Sequence, residues 1–159
     1  MNSDRGWCVD EVRVGEAIGH PGGRTITGDE NPRLAWLSEN ASPVHGNSHL
    51  MAGSPFGEPL VLGALSIAVV VGLASPATCR PELARRTVPA WSRIALVGPV
   101  FGGDTLRAAS IVRKITLDAD GAGGLVERTI EGRNQRGEVV VTIHEIGWAP
   151  SRAAGVQDR

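Results

Sequence analysis

The chain has 159 residues, of which 42% are hydrophobic and 21% charged, with a formal net charge of −1. That balance suits one domain with a single hydrophobic core and excludes wholesale disorder. The cations, nearly all arginine, are scattered along the chain, which argues against the clustered basic face that an electrostatic grip on nucleic acid requires.

Taken in chain order, the first ten residues, "MNSDRGWCVD", are polar and acidic and lack the basic-then-apolar order of a secretory leader. Residues 1–12 are expected to form a flexible arm, residues 13–150 a single domain and residues 151–159 a tail. Cys8 and Cys79 lie far apart with no C-x-x-C spacing, which predicts two free thiols in a reducing compartment. "VRVGEAIGHPGGRTIT" (12–27) holds a short alternating piece, then Gly/Pro punctuation, then a β-branched strand signal. His20 falls in that punctuation and reads as solvated.

Asn31-Pro32 can start a helix, because asparagine caps and proline suits the first turn. Leu34, Trp36 and Leu37 would supply its apolar side through about Glu39. A loop with Pro43 and His45 follows, then a helical turn over 48–52. "LVLGALSIAVVVGLA" (60–74) falls short of the ~20 residues a membrane span needs. It reads as a helix buried on nearly all sides, in a cytoplasmic protein that contacts no membrane. A charged connector (77–89) leads to four strand signals, at 91–97, 104–119, 124–134 and 138–150. On the second of these, Leu106, Ala108, Ser110, Val112 and Lys114 share a face. Asn134 to Gly137 is a hairpin connection, since glycine accepts positive φ. The order is short helices, one long apolar helix and an antiparallel meander. It predicts an α+β fold with a sheet curled around a central helix.

Five stretches carry a resemblance: "GRTIT" (23–27), "PVH" (43–45), "SPFGEPLVLG" (54–63), "GPVFGGDTL" (98–106) and "NQRGEVVV" (134–141). In this order, over residues 14 to about 150, they resemble landmarks of the MaoC-like dehydratases. Those are hot-dog-fold enzymes that hydrate 2-enoyl thioesters or dehydrate 3-hydroxyacyl thioesters. The resemblance implies a hydro-lyase acting on an acyl-CoA or acyl-carrier-protein thioester. It implies no separate cofactor, since coenzyme A or phosphopantetheine arrives as part of the substrate. It also implies a homodimer or higher oligomer whose thioester tunnel forms between subunits. Counted from T-I-T, the family's catalytic histidine falls at His45, and "TGDENP" falls at the helix start. Asp29 and Asn31 then read as helix-start residues, a carboxylate near the positive dipole end and a cap.

The usual hydratase pattern is D-x-N-P-x-H. Here it reads N-A-S-P-V-H, with Asn40 at the aspartate position and Ser42 at the asparagine position. Asn40 can orient water but cannot relay a proton. Three readings stay open. His45 could be the sole proton-transfer residue, with Asn40 positioning water or substrate. Glu39 could replace the missing acid, although its side chain points about 100° from that of Asn40 if both are helical. Or the site could retain only thioester binding. The first reading resembles an itaconyl-/mesaconyl-CoA hydratase-like branch, where a neutral asparagine would avoid repulsion with a dicarboxylic acyl group; a branched acyl group is the other possibility.

The oxyanion donor is expected at the start of the long helix, where backbone N–H groups are unpaired. The family commonly reads H-G there; this chain reads Leu62-Gly63, which retains the Gly63 N–H. Ser42, Pro43, Phe56 and Leu62 are expected to line the substrate. His49 follows His45 at a spacing that suits a metal pair, but without a third ligand no metal is expected. His144 would face solvent or a partner subunit. Arg128 and Arg133 could reach a phosphate of coenzyme A, though a solvated strand face suits either. The alternatives to a hydratase are a hot-dog thioesterase, which needs a carboxylate that 60–74 lacks, and a degenerate acyl-thioester-binding or scaffold protein.

Overall fold

The computed structural model describes residues 8–75 and 89–152. Among them lie six strands, β1 (Ala17–Gly19), β2 (Arg24–Thr25), β3 (Ala90–Leu96), β4 (Thr105–Leu117), β5 (Gly123–Arg133) and β6 (Val139–Pro150). Three helices, α1 (Glu30–Leu37), α2 (Ser48–Ala52) and α3 (Gly63–Ala74), accompany them, with 3-10 turns at Val9–Glu11, before β1, and Pro43–His45, between α1 and α2. The strands form one antiparallel sheet in the order β1-β4-β5-β6-β3, with β2 also paired to β4. The turn between β5 and β6 carries Gly137 at φ 81°, the left-handed conformation expected of a glycine there.

Alternation on β4 to β6 gives the sheet one apolar face, and α3 packs against it. Val69, Val70 and Ala74 of the helix meet Leu106, Ile130, Val141 and Ile143 of the strands. A Cβ on Gly132 would lie 2.3 Å from Val70 Cγ2, so a bare backbone at this position lets helix and sheet approach. A sheet covers only one side of a helix, and α3 is accordingly less enclosed than its composition predicted. Ala64, Ala68 and Gly72 form an exposed stripe.

A second apolar cluster lies beyond the helix, where Val9 and Val12 pack on Ile18, Val112, Val126 and Ala149. The described end of the expected arm is therefore packed. Cys8 is fully buried and disulfide-bonded, which overturns its reading as a free thiol. Cys79 and the connector lie outside the described residues. On β4 a bulge between Val112 and Lys114 shifts the register. It turns Lys114 away and brings Ile115 against the second cluster.

Polar groups occupy the inner face between the two clusters. Arg128 Nε donates to Glu145 Oε1 at 2.7 Å, and the Trp91 indole N–H donates to Glu145 Oε2 at 3.0 Å. Arg128 and Glu145 are both buried, which corrects the solvated reading of Arg128. His20 is half-buried, with Nε2 2.7 Å from Ser110 Oγ. Burial first and the nearby Arg128 cation second hold its pKa down to about 4, against the opposing pull of Glu145. His144 is exposed on β6, as its strand parity predicted.

Candidate active site

Asn31 organises the region around His45. Asp29 occupies the cap position of α1 without a side-chain capping bond, accepts a hydrogen bond from the Thr27 hydroxyl at 2.5 Å and pairs with Arg33 at 3.2 Å. Asn31 lies inside the first turn, buried, so it does not serve as the expected cap. Its amide donates to the His45 carbonyl at 2.8 Å and to the Leu60 carbonyl at 2.9 Å, and its Oδ1 accepts from Leu62 N–H at 2.7 Å. One carboxamide thus ties α1, the His45 turn and the lead into α3 together. The buried side of α1 is Asn31 and Ala35, whereas Trp36 and Leu37 are 80% and 72% exposed.

Pro43 opens the 3-10 turn that ends at His45. His45 Nδ1 lies 2.9 Å from the Leu60 carbonyl oxygen. A carbonyl only accepts, so the neutral ring carries its proton on Nδ1 and leaves Nε2 with a lone pair. Leu60 and Val61 are themselves fixed through Leu60 N–H to Val44 O at 2.9 Å and Val61 N–H to Val100 O at 2.8 Å.

The start of α3 forms the facing wall. Leu62 caps the helix, and its carbonyl accepts from Leu65 N–H at 2.9 Å and Ser66 N–H at 3.2 Å. Among the described residues the Gly63 and Ala64 N–H groups have no acceptor, as expected of a first helical turn. A Cβ on Gly63 would lie 2.3 Å from Leu96 Cδ1, so glycine is what allows Leu96 to close over the helix start.

His45, Phe56, Gly63 and Ser66 share a cleft of about 380 Å³, completed by Leu60, Val61 and the segment 96–100. Its lining is apolar apart from His45 and Ser66. Of the expected site residues, His45, Gly63 and Phe56 are brought together. Leu62 is buried beside the cleft, and Ser42 and Pro43 are exposed on the approach to His45. Asn40 lines a separate groove with Trp36, Leu37 and Glu39. Its Oδ1 accepts from Ser42 N–H at 3.0 Å, a local turn that shapes the loop before His45. His49 is exposed on α2.

Asn31 and Ser66 were not singled out for the site from the sequence. Asn31 sits four residues before Ala35, the spacing of a shared helix face, and Ser66 is the one hydroxyl in the apolar run 60–74.

No family model matches the chain. It is 27% identical over 142 residues to mesaconyl-CoA hydratase of Cereibacter sphaeroides, a match covering 89% of this chain and 40% of that protein. The chain thus spans less than half the length of this curated relative. Among solved structures, the MaoC-like dehydratase from Rhodospirillum rubrum superposes with a TM-score of 0.77 at 21% identity, over 92% of this chain and 99% of that one. Rv0216 from Mycobacterium tuberculosis, which has a double hot-dog fold, gives a TM-score of 0.74 at 18% identity, over 96% of this chain and 47% of its own.

Proposed function

We propose that this chain, which has the hot-dog fold and resembles the MaoC-like dehydratases, reversibly adds water across the C2=C3 bond of an enoyl thioester carried on coenzyme A or an acyl-carrier protein. The observation that carries the reading is that His45, with Nδ1 held by the Leu60 carbonyl, and Gly63, with its N–H unpaired among the described residues, line one apolar cleft.

In this reading the acyl chain lies along Phe56, Leu60 and Val100, with the thioester carbonyl oxygen at Gly63 N–H. His45 Nε2 takes a proton from water as the water oxygen bonds to C3. The C2=C3 electron pair moves toward the carbonyl, forming an enolate whose oxygen the Gly63 N–H stabilises. The imidazolium then returns that proton to C2, so one group serves as base and acid and ends as it began. The Leu60 carbonyl supports this exchange by holding Nδ1–H in place while Nε2 cycles.

Asn40 contributes by shaping the loop before His45 through its bond from Ser42 N–H. The described lining of the cleft holds neither arginine nor lysine, which favours an apolar acyl chain, linear or branched. A dicarboxylic chain would need its second charge met from another subunit. A second copy has a place to bind: among the described residues β3 pairs only with β6. Ile94, Leu96 and Val97, on or just after that edge strand, are 40%, 55% and 57% exposed. A homodimer covering this edge would also close the cleft at Leu96 and Val97. A cytoplasmic setting fits a coenzyme A thioester, and among the described residues no helix is long and apolar enough to cross a membrane. The buried disulfide at Cys8 is the feature that pulls the other way.

The test is loss of enoyl-thioester absorbance with crotonyl-, mesaconyl- and itaconyl-CoA. The wild type should turn over at least one, and His45→Ala should lose roughly 10²–10⁴-fold. Thioester binding with no turnover on any of the three would make the chain a binding protein instead.

A further inference from the structure

We propose that the Ser66 hydroxyl is a second hydrogen-bond donor to the thioester carbonyl oxygen, acting beside the Gly63 N–H; this rests on the hydration reading above. Ser66 is 2% exposed and lies on the wall of the His45 cleft. A helical serine ordinarily donates to the carbonyl four residues back. Two serines at helix ends do so: Ser38, after α1, donates from Oγ to Leu34 O at 2.7 Å, and Ser75, after α3 itself, donates from Oγ to Val71 O at 2.8 Å. Ser66 does not. Its corresponding acceptor, the Leu62 carbonyl, already takes Leu65 N–H and the N–H of Ser66 itself. Among the described residues the Ser66 hydroxyl has no hydrogen-bond partner.

The Ser66 oxygen is not among the fully enclosed side-chain atoms that lack a partner, so it opens onto the cleft it lines, where a ligand can use it. Geometry names the ligand atom. Residues three apart share a helix face, and helical side chains lean toward the N-terminus, which aims Ser66 at the turn that carries Gly63. A carbonyl oxygen received by Gly63 N–H has a second lone pair for the Ser66 O–H. Both bonds strengthen as the oxygen gains enolate charge, so they favour the transition state over the bound substrate.

The experiment uses butyryl-CoA labelled with ¹³C at the thioester carbonyl, which binds but cannot be hydrated, together with steady-state kinetics on crotonyl-CoA. Binding to the wild type should lower the carbonyl stretching frequency. Ser66→Ala should lose part of that shift and, with an unchanged unfolding midpoint, lose roughly 10²-fold in kcat with little change in KM. An unaltered carbonyl band in Ser66→Ala overturns the proposal while wild-type turnover leaves the hydratase reading standing. A wild type that binds butyryl-CoA yet hydrates nothing overturns the hydratase reading, and the band alone then decides whether Ser66 is a donor. Failure to bind either thioester overturns both.

Discussion

Asn31 holds three backbone groups from separate segments, the carbonyls of His45 and Leu60 and the N–H of Leu62. Asn31→Ala would orphan the buried Leu62 N–H and the His45 carbonyl, for a stability loss of about 2–4 kcal/mol measured by urea unfolding. It would also release the Leu60 carbonyl from one of its two donors, so kcat should fall more than KM rises. Asn40 has the opposite character. Its carboxamide oxygen serves Ser42 and its residue lies outside the His45 cleft. Asn40→Asp retains that acceptor, so kcat/KM should stay within about tenfold of wild type, well short of the loss of an acid–base group. A hundredfold change would place Asn40 on the reacting atoms.

At the scale of elements, the contact between α3 and β5 depends on Gly132. Gly132→Ala would drive a methyl into Val70 Cγ2, an overpacking cost of about 1–3 kcal/mol. Val70→Ala in the same chain should relieve that clash, so the double variant should be more stable than the two single effects summed. The long strands were legible in the sequence because alternation at period two survives any packing partner, and the helical turn expected over 48–52 is α2. The inward side of α1 was not. Hydrophobicity pointed to Trp36 and Leu37, while the buried side belongs to Ala35 and to Asn31, whose value lies in bonds to residues 14 to 31 positions away. The bulge after Val112 hides inside an unbroken alternation for the same reason: it is set by register with β5. His45 was expected from its distance to T-I-T under the family resemblance and Gly63 from the start of the apolar helix, and both line one cleft. The bonds of Asn31 and the place of Ser66 on the cleft wall arise only when α1, the His45 turn and the start of α3 meet.

For the whole molecule, His20 ties stability to pH. Its pKa is about 4 in the folded protein against 6.5 for the free side chain. Above pH 6.5 the imidazole is neutral in both states. As pH falls from there toward 4, the unfolded chain takes up a proton that the native protein excludes, so stability declines across that window. His20→Gln should flatten this part of the urea-midpoint profile, and the difference from wild type removes the carboxylates that titrate nearby. A profile identical to wild type would show that His20 is protonated freely in the native state. The central claim is that a single imidazole carries water's proton to C2. A group lying on one side of the acyl chain must deliver hydroxyl and proton to the same face. Hydration of crotonyl-CoA in D₂O, with the relative configuration at C2 and C3 read by NMR, tests this most directly. The account predicts the syn adduct, formed by the wild type and lost in His45→Ala; an anti adduct, or a syn adduct that His45→Ala still forms at the wild-type rate, would contradict it.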